Sequence, residues 1–299
     1  MIDEFLRPFD FEFFRNGLMV ATMAGALCGA IGVYVVLKGM SYIGHGLSHA
    51  IFGGFAASSL IGVNFFLGAG VWGIASALMI NGVTRRRLLG SDAAIGVITT
   101  ASFALGLALF AIFGTQGRSF DAALFGSILG VGTDDVIAIF IVCLLAGTLI
   151  FLRYRALLFT TFDPEVADVA GVNTARMDAL LMVILAGSIL ATMQVLGVTL
   201  IAAALVIPAA IARMLTNSFA RMLQFATGIG AFCGFVGMNL SYHLDIQSGP
   251  TVVLTAATLF AIVFIVTGAT GRRRAAGITA PVPPSAARAP SAPVTARAD

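Results

Sequence analysis

Residues 134–152 read DDVIAIFIVCLLAGTLIFL, an almost wholly apolar run that stops at Arg153. From Val136 to Leu152 no side chain carries a charge. The hydrocarbon core of a bilayer is about 30 Å thick, and an α-helix of roughly 20 apolar residues crosses it. We therefore predict that this run is a membrane-spanning helix.

The composition of the whole chain agrees with that prediction. Of its 299 residues, 59% are hydrophobic and 10% are charged, and the mean hydropathy is +1.00. A soluble domain carries about 25% charged residues, so this chain cannot cover a surface that faces water. The composition excludes a soluble enzyme, a disordered regulator and a nucleic-acid-binding protein.

Nine apolar segments of about the right length follow one another along the chain. They predict an all-α, polytopic membrane protein; eight spans remain an alternative, because only a short glycine-rich break separates the second segment from the third. Glycine runs inside the segments predict closely approaching helices. The segments lie near residues 14–37, 46–66, 67–84, 92–114, 134–152, 176–196, 197–216, 222–243 and 250–270.

The basic residues indicate the orientation of the spans. They fall in alternate gaps, and the positive-inside rule places those gaps in the cytoplasm and the amino terminus outside. The opposite gaps hold Arg118 and the acidic residues Asp134 and Asp135. The basic residues of the cytoplasmic gaps are Lys38, Arg85, Arg86, Arg87, Arg153, Arg155, Arg176, Arg213, Arg221, Arg272, Arg273 and Arg274.

Three regions are predicted along the chain. Residues 1–13 are amphipathic and are expected to lie in the membrane interface. Residues 14–274 form the transmembrane domain. Residues 275–299 are rich in Ala, Pro, Ser and Arg, cannot bury a core, and are predicted to be a disordered cytoplasmic tail.

Two of the three histidines lie in the segment SYIGHGLSHA at residues 41–50. His45 and His49 are four residues apart, so a helix places both imidazoles on one face. Neutral imidazole is the commonest metal ligand among side chains, and the pair is a half-site for a divalent transition metal that a second copy of the chain would complete. The alternative, that both rings only hydrogen-bond to backbone or bridge helices, stays open.

A second candidate metal contact lies at the outer end of the eighth predicted span. His243 and Asp245 are adjacent there to Tyr242. A polar helix end that is wetted at the interface is the alternative interpretation.

The sequence lacks the motifs of a nucleotide-binding or hydrolytic enzyme. Its single lysine, Lys38, is followed by glycine instead of the Ser or Thr of a phosphate-binding loop, and neither HExxH nor GxSxG occurs. We expect a transport protein that is not itself an enzyme and binds no permanent cofactor.

The longest cytoplasmic gap contains FDPEVADVAGV at residues 162–172. Asp163 suits a helix N-cap, Pro164 the first helical position, and Glu165 the positive end of the helix dipole. Gly171 supplies a C-terminal stop. We predict a short helix, capped at both ends, that a partner protein could grip.

Four stretches, in this order along the chain, resemble the membrane-spanning permease subunits of bacterial ABC importers for zinc, manganese and iron. Residues 37–50 are similar to that family's segment R-x-M-S-x-x-G-D-A-L-S-H-A, and residues 124–129 to its L-F-G-S-I-L element. Residues 163–171 fall where such permeases carry a coupling helix. The fourth stretch combines residues 196–213 with residues 248–254.

The resemblance implies a type II ABC importer-like permease in the cytoplasmic membrane, in contact with lipid and not with nucleic acid. It implies a homodimer of this chain, two copies of a cytoplasmic ABC ATPase subunit, an extracytoplasmic metal-binding protein, and alternating access driven by ATP. The coupling-helix residues implied by the resemblance are Asp163, Pro164, Glu165, Val166, Ala167, Asp168 and Gly171.

The resemblance also implies which residues touch the transported ion. In that family the Asp and His of G-D-A-L-S-H are thought to line the metal path, and they fall on His45 and His49. This chain departs from the pattern, because His45 replaces the carboxylate and Gly46 replaces Ala. Loss of a hard oxygen ligand favours zinc over manganese, so we expect zinc first, with manganese and iron as alternatives.

Two other transport classes remain open. A permease for siderophores or cobalamin would usually have a further amino-terminal span and a path for a large substrate, whereas this chain has a compact histidine pair. An ion-coupled secondary transporter would need buried carboxylates, and no predicted span has one in its middle.

Overall fold

A computed structural model describes residues 7–61, 65–85, 90–113, 124–126 and 131–278. Within these ranges, helices are the only regular secondary structure. A 3₁₀ turn at Arg7–Asp10 precedes the α-helices. These are α1 (Glu12–Leu37), α2 (Ile43–Ile61), α3 (Phe65–Arg85), α4 (Ser91–Phe113), α5 (Thr133–Leu152), α6 (Tyr154–Phe162), α7 (Pro164–Val169), α8 (Thr174–Leu196), α9 (Ile201–Leu215), α10 (Phe219–Leu244) and α11 (Ser248–Ile278).

Each of the nine predicted spans corresponds to one helix, which confirms the all-α, polytopic fold. In the described part of the chain, seven helices are long and apolar enough to cross a membrane. The other two are α2, which carries both histidines, and α9, which has 15 residues. The seven spans are Glu12–Leu37, Leu67–Arg85, Asp92–Leu109, Thr133–Leu152, Thr174–Leu196, Phe219–Leu244 and Ser248–Gly268.

Helices α1 and α8 form the centre of the bundle. Their apolar windows are 67% and 61% buried, against 17% for α5 and α11. Helix α1 lies along α10 with almost no side chain between the two backbones: a Cβ on Gly25 would overlap the carbonyl of Gly230, and a Cβ on Gly29 that of Ala226. Without water to drive association, such close contact between backbones is a main source of helix affinity in lipid.

Three connecting segments meet at one end of the bundle, which we call the loop junction: residues 124–126, 197–200 and 247–249. The backbone N–H and the hydroxyl of Thr199 both donate to the Leu124 carbonyl, at 3.2 and 2.8 Å. The hydroxyl of Ser248 donates to the Val195 carbonyl at 2.7 Å. The second and fourth stretches that carry the family resemblance are therefore in contact, although they are far apart in sequence.

The other end of the bundle, which we call the basic end, holds the carboxyl termini of α1 and α3 and the amino terminus of α8. Lys38, Arg85 and Asp178 meet there. Helix α8 has 23 residues and so runs about 34 Å between the basic end and the loop junction. This separation agrees with the predicted alternation of the gaps across a membrane.

Some predictions concern residues outside the described ranges. These include residues 1–6, Arg86, Arg87, Arg118, residues 127–129 of the L-F-G-S-I-L element and residues 279–299 of the tail. Helix α11 continues past the predicted end of its span, through Arg272–Arg274, to Ile278. The interfacial amino-terminal segment and the disordered tail stay predictions.

Candidate functional site

His45 and His49 face each other on α2, as their spacing predicts. Their ring centroids are 4.5 Å apart and the ring planes cross at 82°. Both side chains are half-buried. The ring of Phe103, from α4, lies edge-on to His49 at 4.5 Å, and the ring of Tyr42 lies 5.6 Å from His45. The pair is therefore held in an aromatic setting beside α4.

The backbone around the pair is fixed by close contact with α4. A Cβ on Gly46 would come within 2.6 Å of Cγ2 of Ile95 and 2.9 Å of Cγ2 of Thr99, so a larger residue needs one of these to move. The buried hydroxyl of Ser48 donates to the His45 carbonyl at 2.8 Å. Gly46, which replaces the Ala of the family segment, is thus the residue that lets α2 approach α4 beside the histidines.

One nitrogen of the pair lacks a partner. Nδ1 of His49 is buried and accepts or donates no hydrogen bond within the described residues. A buried polar atom left in this state costs about 1–3 kcal/mol. Across the same residues, no group of three or more His, Cys, Asp or Glu side chains is arranged to hold a metal ion. One copy of the chain therefore offers two imidazoles and not a complete coordination shell.

His243 and Asp245 lie at the exposed end of α10, on the side of the loop junction. The rings of Tyr242 and His243 meet edge-on at 5.6 Å. Asp245 adopts a left-handed conformation with φ of 53°, and its N–H donates to the Ser241 carbonyl, so it ends the helix. The structure does not join these two residues to His45 and His49 in one ligand group.

The capped helix in the longest basic gap forms as predicted, over Pro164–Val169. The Asp163 carboxylate accepts a hydrogen bond from the Val166 N–H at 2.9 Å. Gly171 has φ of +80° and ends the segment. Ala167 is fully buried, whereas Val166 is 52% and Val169 92% exposed. This six-residue helix packs against the bundle through Ala167 and exposes Val166 and Val169, so it presents an apolar surface at the basic end.

Asp178 is a charged residue of the basic end that sequence reasoning missed. Its Oδ1 lies 2.8 Å from Nζ of Lys38, and its Oδ2 lies 3.0 Å from Nη1 of Arg85. The sequence does place Asp178 near the start of a predicted span, on the same side of the membrane as Lys38 and Arg85, each of which follows the end of a predicted span. Nothing in the sequence shows which cations it would meet.

The model of the ABC 3 transport family matches residues 10–267. The chain belongs to the ABC 3 transport family. This membership confirms the resemblance to permease subunits of metal ABC importers.

Among the relatives of this ABC 3 family chain, manganese names dominate and one name refers to iron. The chain is 34% identical over 255 residues to the "Manganese transport system membrane protein MntC" of Listeria monocytogenes, which covers 85% of this chain and 91% of that protein. It is 36% identical over 267 residues to the "Manganese import system permease protein ScaB" of Streptococcus parasanguinis, covering 89% and 95%. The expectation of zinc as the first substrate finds no support in these names.

A solved structure shows the same architecture for this ABC 3 family chain. "PsaBC from Streptococcus pneumoniae in complex with Fab" superposes with a TM-score of 0.80 at 34% identity, covering 88% of this chain and 95% of that chain. The agreement confirms the permease fold of an ABC importer, which the ordered stretches of sequence implied.

Proposed function

We propose that this chain is the membrane-spanning permease subunit of an ABC importer, and that it carries a divalent transition-metal ion by alternating access. The observation that carries the proposal is the half-buried pair His45 and His49, 4.5 Å apart on α2. Ionisable side chains inside a membrane protein are expensive to bury and usually serve a substrate path. The unpartnered Nδ1 of His49 supports the proposal, since a buried nitrogen without a partner gains from a ligand.

The proposed assembly is a homodimer of this chain. Two imidazoles leave a transition-metal ion short of its usual four or more ligands. We place the pair at the subunit interface, where a second copy around a twofold axis would bring its own His45 and His49 to the same point, because a twofold interface presents the same surface from both subunits. The ion would then pass between the subunits.

We take manganese as the expected cargo, with iron and zinc as alternatives. The names of the relatives favour manganese. His45 nevertheless stands where the permeases that this chain resembles carry a carboxylate. Imidazole suits zinc better than it suits manganese, which prefers carboxylate ligands. A permease that imports manganese and discriminates only weakly against zinc accounts for both the names of the relatives and the imidazole at position 45.

The proposed motor is a separate cytoplasmic ABC ATPase, present in two copies, that grips α7. The exposed valines of α7, Val166 and Val169, and its rigid caps support this role. Under the positive-inside rule the basic end faces the cytoplasm of a bacterial inner membrane, and the loop junction faces the metal-binding protein that delivers the ion. His243 and Asp245, on that outer side, are a proposed first contact for the arriving ion.

The test is transport in proteoliposomes that contain this chain, its ATPase and its extracytoplasmic binding protein. We expect ATP-dependent uptake of manganese that His49→Ala lowers tenfold or more at limiting metal, since even the loss of a supporting group around a metal site costs about 10–100-fold in affinity. His243→Ala tests the outer end separately: retained uptake in this variant removes His243 as a first contact, and lowered uptake in both variants places both contacts on the path of the ion.

Two results would contradict the proposal. Uptake that persists without ATP but disappears when ion gradients are collapsed would identify a secondary transporter. ATP hydrolysis by the assembled complex without movement of manganese, iron or zinc would exclude a metal permease.

A further inference from the structure

The Asp178 carboxylate joins three helices at the basic end. Each of its oxygens takes one cation, Lys38 from the end of α1 and Arg85 from the end of α3. The side chains are 12% exposed for Lys38, 24% for Asp178 and 39% for Arg85, so the group is partly shielded from water and from salt. Both ion pairs found in the described residues use this one carboxylate.

The same group continues to the short helix α7. Nη2 of Arg85 lies 3.3 Å from the hydroxyl of Thr174, and that hydroxyl donates to Oδ1 of Asp168, on α7, at 3.0 Å. On the other side, Nζ of Lys38 donates to the Thr160 carbonyl of α6 at 3.1 Å. A continuous set of polar contacts therefore runs from α7 through α8 and α3 to α1, and back to the helix that precedes α7.

Lys38 also lies close in sequence to the histidines. It caps α1, and only a short turn separates it from α2. In this turn the Met40 N–H donates to the Val35 carbonyl, and the Ile43 N–H donates to the Met40 carbonyl. Because this turn is hydrogen-bonded and short, a displacement of Lys38 is transmitted to the start of α2. His45 lies within the first turn of that helix.

The surroundings leave room for the group to move. A cavity of about 250 Å³ lies beside it, and its lining includes Pro164 of α7, Asp178, and Ile43 of α2. Partly buried ion pairs contribute little net stability compared with apolar side chains of the same volume, so stability alone is a weak reason for placing three charges here. Their directional contacts, in contrast, hold several helices in one relative position.

From these contacts, and resting on the function proposed above, we propose that Asp178 is a positioning residue that couples movement of α7 to α1, α3 and the histidine-bearing α2. When the ATPase displaces α7, Asp168 and Thr174 carry the displacement to Arg85, and Asp178 carries it to Lys38. Without the carboxylate the two cations separate, and α7 moves without the helices of the ion path.

The experiment measures metal ions transported per ATP hydrolysed by the full reconstituted complex. Asp178→Asn keeps the size of the side chain and removes its charge. We expect it to hydrolyse ATP near the normal rate but to transport about tenfold fewer ions per ATP, the factor that corresponds to loss of one charge-assisted hydrogen bond. Asp134→Asn, the same change at an exposed residue beyond the loop junction, is the matched control and leaves the ratio unchanged.

The conservative variant Asp178→Glu, which keeps a carboxylate for both Lys38 and Arg85, guards against simple misfolding. A ratio near normal in Asp178→Glu, together with the loss in Asp178→Asn, supports the proposal, because a defect caused only by a changed side chain would appear in both variants. An unchanged ratio in assembled Asp178→Asn, or an equal loss in assembled Asp178→Glu, overturns it. Should the unaltered complex move no metal at all, the proposed function fails instead, so the two failures are distinguishable.

Discussion

Thr199 holds Leu124 by two hydrogen bonds to one carbonyl oxygen, from its backbone N–H at 3.2 Å and from its hydroxyl at 2.8 Å. The two residues are 75 positions apart. Next to them Gly197, with φ of +75°, lies against the backbone of residues 124–126. The loop junction is thus a contact between backbones, and the lack of a side chain at Gly197 makes it possible.

We predict that Gly197→Ala destabilises the protein by roughly 2–4 kcal/mol. With φ of 75° and ψ of 150°, the backbone of Gly197 lies in a region that only glycine adopts readily, and a Cβ there would also overlap the backbone of Leu124 and Phe125. The measurement is thermal unfolding of the purified protein in detergent. Gly228→Ala is the control, since its Cβ meets nothing within 4 Å in the described part of the chain and alanine favours a helix. Equal melting temperatures for the two variants would refute the prediction.

Gly46→Ala is expected to destabilise the site by about 1–3 kcal/mol, because the new methyl group presses on Ile95 and Thr99 of α4. Removing one obstacle should relieve the strain. We therefore expect the double variant Gly46→Ala with Ile95→Ala to lose less free energy of unfolding than the sum of the losses in the two single variants. Strict additivity would show that α2 and α4 do not press on each other at this point.

His45→Asp is expected to shift the preference of the transporter from zinc toward manganese by about tenfold. A carboxylate is a harder ligand than imidazole and suits manganese better. The measurement is competition between the two ions for uptake into proteoliposomes. His45→Asn, which supplies an oxygen without the charge, separates ligand type from electrostatics. Persistent uptake with an unaltered preference would remove His45 from the ion path.

A cysteine at Val166 or Val169 is expected to crosslink to the ATPase in the assembled complex, because both side chains are more than half exposed on α7. A cysteine at Ala167, on the same helix but fully buried, should give no crosslink. The native Cys28 and Cys233 are buried and Cys143 is half-buried, so they contribute little background. Crosslinking that is equal at all three positions, or absent at Val166 and Val169, would argue against α7 as the docking helix.

Much of the site follows from local pattern. The i, i+4 spacing of His45 and His49 placed both rings on one face, and the order Asp, Pro, Glu and later Gly gave a short helix capped by Asp163 and ended by Gly171. Each of these outcomes depends on residues within about two helical turns of each other, where propensity and capping act directly. The preference for zinc rested on ligand softness at one position, and the names of the relatives favour manganese.

The sequence by itself determined that the chain lies in lipid. It also determined the nine apolar helices that match the predicted spans, and their order, because hydrophobicity over about 20 residues and the placement of basic residues are properties of each segment alone. Only the tertiary structure decided which segments meet. Asp178 finds Lys38 at a separation of 140 residues and Arg85 at 93, and the unpartnered nitrogen of His49 is buried by neighbours on other helices. Such contacts depend on how glycine-lined helices fit against one another, and that fit is a property of pairs of surfaces, which no single segment encodes.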